Sequence, residues 1–428
     1  MPINTSWRVE IGTVASPTTF TSRVAGFNIQ QGCDVNVIGR GSCRITLYNK
    51  DGALTPGGGG TYSSYDWFAQ GLYISALTDT GGAQTVTPVF HGIITDFELN
   101  DNGTFSTVTL TALDPLTVGG RTPNVNGGGS GTIDYGTLLT YWFTNLTLGV
   151  NINYPRLGGT ATQAVQNELR ATPPFSSDQP EQCNTPVGSA QMSTAADLWQ
   201  TVLIPTANET MWATTITTSG TTTTYNYNTI SFSNTRSTAN RQEILFGNVP
   251  IGANTLPFLA DSFKQAFNNA DLVTNSVFDA LDPGIAESSV SASTVNTYGN
   301  RTQAFTQTCA ISQLMVNRNA QLIANRYSTT RFGPISLAVT ASQVRALCND
   351  AALARWQTLL GISTGIWQPA LITWRGSGSS SQQAECVIKG RTIDVSPADT
   401  TVTLELGNWH DNHSFILDTD QLDIDRLN

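Results

Sequence analysis

Three histidines, His91, His410 and His413, are the whole imidazole supply of this 428-residue chain. His410 and His413 stand three apart in Trp409-His410-Asp411-Asn412-His413, and with Asp411 they offer the ligand types of a transition-metal centre. The group follows a strand pattern, falls in an expected loop and has no third histidine near it. A solvated loop is therefore the expected state, and no metal ligand is assigned. His91 lies in Val89-Phe90-His91-Gly92-Ile93, where strand alternation makes it a hydrogen-bonded sheet residue and not a general base.

Other chemistries leave as little trace. Glycoside hydrolysis needs two carboxylates about 5–10 Å apart. Asp96 and Glu98 share one strand face, but such pairs recur in any acidic β protein and nothing marks this one. The run Asp418-Thr419-Asp420-Gln421-Leu422-Asp423-Ile424-Asp425 has the spaced acids of a calcium loop without its central glycine or closing glutamate. Glycines 127–129 and 131 lack the Gly-Lys-Ser/Thr of a phosphate loop, and no Gly-x-Ser-x-Gly elbow occurs. The six cysteines, at 33, 43, 183, 309, 348 and 386, contain no Cys-x-x-Cys pair and read as reduced, buried thiols. Cys33 and Cys43 are also spaced to face each other across a hairpin. No catalytic residue, cofactor or metal is expected.

Composition narrows the class further. Hydrophobic residues make up 39% of the chain, enough for a substantial interior. Charged residues make up 12%, against roughly 25% in ordinary soluble domains. Uncharged polar residues fill the difference, and such surfaces suit subunit contacts, from which charge is depleted. The net charge is −10, with lysines only at 50, 264 and 389 and no basic run, which argues against gripping a nucleic acid. No apolar stretch is long enough to cross a membrane as a helix, and the first residues carry no secretory pattern.

The elements that must carry these residues are mostly strands. Ser6–Ile11, Val24–Ile29, Val35–Ile38, Cys43–Leu47, Leu72–Leu77, Val89–Leu99 and Ser106–Leu113 alternate apolar and polar residues, with turn chemistry at Asn49-Lys50-Asp51-Gly52. This pattern predicts a small barrel or sandwich over 1–118. Residues 119–131 read as a Gly-rich linker. Residues 132–240 mix helical spacing at Thr137–Phe143 and Thr194–Leu203 with a hairpin of Thr210–Thr217 and Tyr225–Ser233. Over 241–417, strands return with two inserted helices. One runs over about 309–326, with a stripe of Ala310, Ile311, Leu314, Met315, Leu322 and Ile323. The other carries Leu347, Ala351, Ala352, Trp356, Leu359 and Leu360 and ends at a Gly361 cap. Strands follow at 366–374, 384–395 and 400–408, and 418–428 form an acidic tail.

Gly41-Ser42-Cys43-Arg44-Ile45-Thr46-Leu47-Tyr48-Asn49-Lys50-Asp51-Gly52-Ala53-Leu54-Thr55-Pro56 is similar to the N-terminal signature of a family, the minor tail and baseplate-hub proteins of tailed bacteriophages. Val89–Phe97 and Ser106–Leu116 resemble the next two strands. Near the other end, Tyr298-Gly299-Asn300-Arg301, the helix closing on Ile323–Ser328, Pro334–Val339, Cys386–Ile393 and Thr400–Leu406 follow in the family's order. Gly390-Arg391-Thr392-Ile393 departs from the pattern found there, which is rich in His or Trp-x-His.

The resemblance implies a β-rich α+β fold, with two tail-tube-like β-barrel domains flanking an α+β middle domain. It further implies a structural, non-enzymatic virion protein, assembled in the host bacterial cytoplasm and placed at the tail tip or baseplate. Its expected partners are further copies of itself, as a trimer or alternatively a hexamer, the tail tube or distal tail protein, and tip or fibre proteins. Genomic DNA would touch it only in passing through the ring. The rival readings are an adhesin whose middle segment contacts host surface glycans and a tail-associated cell-wall hydrolase.

Overall fold

The computed structural model describes residues 2–32, 41–101, 103, 105–115, 132–134, 150–153, 182–184, 209–219, 222–231, 244–248, 254–267, 272–280, 284–308, 313–328, 332–362, 364–366, 368–375 and 381–408. The expected strand at Val35–Ile38, the linker at 119–131, the helices at Thr137–Phe143 and Thr194–Leu203, and the tail at 418–428 lie outside these residues.

Alternating apolar residues put the N-terminal strands where their pattern predicts. They are β1 (Asn4–Thr13), β2 (Ser16–Thr19), β3 (Val24–Gly32), β4 (Ser42–Tyr48), β5 (Gly71–Asp79), β6 (Thr85–Asp101) and β7 (Ser106–Leu113). In the middle segment come β8 (Thr132–Asp134), β9 (Val150–Asn153), β10 (Gln182–Asn184), β11 (Glu209–Ser219) and β12 (Thr222–Ser231). The β11–β12 pair is the expected hairpin, antiparallel from Glu209↔Ser231 to Ser219↔Thr222. The C-terminal segment opens with β13 (Ile244–Gly247), β14 (Leu256–Pro257), β15 (Lys264–Phe267), β16 (Asn275–Ala280) and β17 (Ser288–Ser291). Then come α1 (Val295–Tyr298), β18 (Thr302–Thr308), α2 (Gln313–Tyr327) and β19 (Phe332–Thr340). It closes with α3 (Ala341–Leu347), α4 (Asp350–Leu360), β20 (Pro369–Arg375), β21 (Ser381–Val395) and β22 (Thr400–Asn408).

One 14-stranded sheet takes strands from both ends of the chain, in the order β14-β13-β20-β21-β3-β4-β7-β6-β5-β1-β2, with β22, β19 and β15 branching from β21. The branch point is the long strand β21. Along one edge it pairs first with β20, through Ser381–Val387, and then with β3, through Gly390–Val395; along the other it pairs with β22. The N-terminal strands curl until Trp7 of β1 meets Phe27 of β3, ring centroids 5.2 Å apart, while Trp7 Nε1 donates to Thr400 Oγ1 of β22.

The apolar interior is likewise shared. Ile29, Ile45, Leu72 and Leu110 belong to the same buried cluster as Trp356, Ile372, Ile393 and Leu404. At about 25 cal/mol per Å² of apolar surface removed from water, burial of this kind is the main drive for joining the two ends of the chain. A second, smaller core lies under the three-stranded sheet β17-β16-β18, where Phe278 stacks on Phe305 and α2 presents Val316, Ala320 and Ile323.

The helices correct the sequence expectation in three respects. The buried face of α2 includes Val316, Asn319, Ala320, Ile323 and Ala324; Ile323 of the expected stripe lies on it, whereas Leu314 is 53% exposed. The apolar run from Leu347 is two helices, because Asn349 between them accepts a hydrogen bond from the Ala351 amide and so caps the start of α4. Leu347 thus ends α3 and faces outward. Gly361 follows α4 with extended φ and ψ and not in a left-handed cap; a Cβ there would meet Thr364 Oγ1 at 2.3 Å.

Candidate functional site

The period of a strand sorts residues onto two faces, and across the joined sheet the two faces differ sharply. One cross-strand row runs Val402, Ile393, Ile29, Cys43, Ala112 and Ile94, over β22, β21, β3, β4, β7 and β6. All of these residues are buried. The neighbouring row, on the other face of the same strands, runs Thr401, Asp394, Asn28, Arg44, Thr111 and Asp96, and none of them is buried. Thr403, Thr392, Gln30 and Ser42 extend this polar face by a further row.

Side chains on the polar face are tied to one another in local pairs. Asn28 Nδ2 donates to Asp394 Oδ1, linking β3 to β21, and Arg44 meets Glu98 at 3.4 Å, linking β4 to β6. Where Gly32 of β3 lies opposite Gly390 of β21, no side chain rises from the sheet. A depression of about 420 Å³ opens there, its rim formed by Gln30, Ser42, Ser336, Thr392, Thr403 and Glu405. Hydroxyl and amide groups dominate this surface. It offers many weak hydrogen bonds, and its fixed charges are the carboxylates Asp96, Glu98, Asp394 and Glu405 and the cation Arg44.

Behind the depression, facing the core, is a junction that sequence reading missed. Arg391 of β21 is 2% exposed and stands directly opposite Gln31 of β3. Its Nε and one terminal nitrogen donate to Gln31 Oε1, at 2.8 and 2.5 Å, and its other terminal nitrogen donates to the Leu359 carbonyl at the end of α4. That carbonyl is one of the four a helix leaves without an internal partner, at the negative end of its dipole. Burial pushes the guanidinium pKa down to about 9, which still leaves it charged at neutral pH. A signal for it exists in the sequence: Arg391 has the parity of Ile393 and Val395, and Gln31 that of Phe27 and Ile29, so the alternation itself points both inward.

The residues with candidate chemistry are not brought together. Asp96 and Glu98 are exposed on β6, opposite Thr111 and Thr109, and Glu98 is engaged by Arg44. His410, Asp411 and His413 lie outside the described residues, as do Cys33 and Cys309. Cys43, Cys348 and Cys386 are free and buried, and burial pushes the Cys386 thiol up to about 12, in keeping with small hydrophobes. Among the described residues, no group of His, Cys, Asp and Glu side chains is placed to hold a metal ion. No helix among them is long and apolar enough to cross a membrane.

His91 is half-buried on β6 opposite Tyr73, the rings 5.3 Å apart and edge to face. Burial pushes its pKa down to about 4. The unfolded value is about 6.5, so the unfolded chain takes up the proton first. The stability due to the neutral ring is complete above about pH 6.5 and is lost as pH falls toward about 4. Urea midpoints followed across that window should decline less steeply in His91→Gln than in the parent; equal slopes would refute the assignment.

No protein-family model and no curated protein matches this sequence. Solved structures do. The tail protein from Neisseria meningitidis MC58 aligns with a TM-score of 0.51 at 9% identity, over 94% of this chain and 96% of that one. The 43 kDa tail protein of prophage MuSo2 from Shewanella oneidensis aligns at 0.49 and 10% identity, over 94% and 98%. Prophage tail protein gp18 from Listeria monocytogenes EGD-e aligns at 0.45 and 9%, over 93% and 94%. The likeness to the Neisseria tail protein, at this identity, is one of fold.

Proposed function

We propose that this chain is a structural protein of a phage tail, a hub or minor tail protein that forms a ring joining the tail tube to tip or fibre proteins. The observation that carries the reading is the single sheet built from both ends of the chain, with one face apolar and the other polar, where over β22, β21, β3, β4, β7 and β6 the carboxylates Asp96, Glu98, Asp394 and Glu405 stand against the cation Arg44. Residues 1–118 and 241–417 are proposed as two tail-tube-like barrels flanking a middle domain at 132–240, and the curl that brings Trp7 to Phe27 supports the first of them. Two such units per chain would let a trimer meet a sixfold tube.

The polar face is proposed to line the DNA passage. DNA attracts proteins that neutralise its phosphates with Lys and Arg. A wall of Thr, Ser, Asn and Gln interrupted by Asp96, Glu98, Asp394 and Glu405, with the cation Arg44 paired to Glu98, gives phosphate little to hold and some charge to avoid. Heterologous contacts that close into a ring fit this role. The chain is read as non-enzymatic and located in the virion.

Native mass spectrometry and negative-stain electron microscopy of the purified chain, with and without its tail neighbours, test the reading. Closed rings, with threefold symmetry expected, support it. A chain that stays monomeric at high concentration and binds no tail protein overturns it.

A further inference from the structure

Beyond this role, and independent of it, lies the question of what fixes the alignment of the two ends of the chain along β3 and β21. We infer that Arg391 is a positioning residue that sets the register of β21 on β3, through Gln31 and the Leu359 carbonyl.

Apolar patterning alone does not define that register. A slip of one residue would turn every side chain to the wrong face, which burial forbids, but a slip of two keeps each face intact. In the observed register Ile29 opposes Ile393 and Phe27 opposes Val395. Moved by two, Ile29 would oppose Val395, or Phe27 would oppose Ile393, and the interior would remain apolar. The outer face discriminates little better: moved one way Asp394 would meet Gln30 in place of Asn28, and moved the other way Thr392 would meet Asn28 while Asp394 faced Gly26.

Arg391 breaks the tie. Moved by two residues in one direction it would oppose Ile29, and in the other it would pass the end of β3. Either slip parts the buried guanidinium from Gln31, which accepts two of its hydrogen bonds, and leaving a buried charge short of acceptors costs far more than a well-made pair contributes. Its partners in the observed register are neutral, with no carboxylate among them, and Gln31 Nε2 is buried without an acceptor. Such a junction is poorly built for stability and well built for selecting one register over another. The Leu359 contact extends the selection to α4, so helix and seam are aligned by the same group.

Paired cysteines on the exposed face report the register. Asn28→Cys with Asp394→Cys reports the observed alignment, and Gln30→Cys with Asp394→Cys reports the slipped one. After mild oxidation of the full chain, disulfide-linked peptides are quantified by mass spectrometry. With Arg391 present, the first pair is expected to cross-link at least about tenfold more than the second, and Arg391→Met should reduce that preference to about threefold or less. Should Arg391→Met fail to fold, the double variant Arg391→Met, Gln31→Leu removes both polar partners and serves in its place. A preference for the observed register that survives in whichever of these variants folds overturns the inference.

Discussion

Replacing Trp356 with alanine is expected to lower stability by about 3–5 kcal/mol, the range for deleting a large buried aromatic from a packed core. Trp356 is fully buried and, by volume, the largest such side chain among the described residues. Its position on α4 makes the consequence unusual. The indole Nε1 donates to Thr5 Oγ1 on β1 at 2.9 Å; the next residue, Gln357, donates to Thr78 Oγ1 on β5 at 2.8 Å; and the Ile362 amide donates to the Pro88 carbonyl on β6. A helix from the C-terminal segment is thus seated on strands from the N-terminal one. Hydrogen-exchange protection should therefore fall in β1 and β5 as well as in α4. Trp356→Phe keeps most of the apolar volume and loses the hydrogen bond, so a decrease nearer 1 kcal/mol is expected. Urea midpoints with peptide-resolved exchange check both points. Loss of protection confined to 341–375 would show that the two segments are independent.

That coupling also marks the limit of what the sequence conveys. Cys43-Arg44-Ile45-Thr46-Leu47 and Ser106–Leu113 alternate cleanly, and β4 and β7 pair from Ser42↔Leu113 to Tyr48↔Thr107 with Cys43, Ile45, Leu47, Val108, Leu110 and Ala112 inward. Period two determines the face of a strand, so the polar and apolar rows of the sheet were readable from either end of the chain. The choice of partner strand was not. β21 changes partner from β20 to β3 within its own length, and Arg391 reaches Gln31 across a separation of 360 residues. No local signal encodes such a choice, which is made by competition among core residues over the whole chain. The division of the Leu347–Leu360 run was closer to hand, since Asn349 is a strong cap residue in the middle of the apolar pattern. There the three- and four-residue steps of Leu347, Ala351, Ala352, Trp356, Leu359 and Leu360 concealed the cap.

The polar face illustrates why function was harder to read than fold. Thr401, Asp394, Asn28, Arg44, Thr111 and Asp96 come from six strands spread over most of the chain, and none is distinctive alone. A catalytic centre announces itself by residue type, because proton transfer and metal binding need particular groups. A surface of the kind proposed to line a DNA passage, which would work by offering little purchase, has no such vocabulary. Its meaning lies in the continuity of one face over strands from both ends of the chain, and that appears only once the pairing of β3 with β21 is known.

Gly365→Ala should be the most damaging of the small substitutions, because it strikes the same junction from the opposite side. A Cβ at position 365 would stand 1.9 Å from a terminal nitrogen of Arg391 and 2.5 Å from the Leu359 carbonyl oxygen. The guanidinium can move, but only by leaving the Leu359 and Gln31 oxygens that satisfy it in a buried site. The carbonyl belongs to the backbone of α4 and cannot yield without disturbing the turn that seats Trp356. Overpacking a core typically costs about 1–3 kcal/mol, and the upper part of that range is expected here because a charged group is displaced as well. Gly82→Ala is the control: nothing lies within 4 Å of a Cβ at that glycine, so its effect should be within about 0.5 kcal/mol of zero. Combining Gly365→Ala with Arg391→Met separates the two clashes. The loss should be smaller than the sum of the single losses, since the methionine no longer needs the space, while the contact with the Leu359 carbonyl keeps the relief partial. Strict additivity in a urea-denaturation cycle would mean that Gly365 and Arg391 do not share the junction, and the close approach of β21 to α4 would then need another explanation.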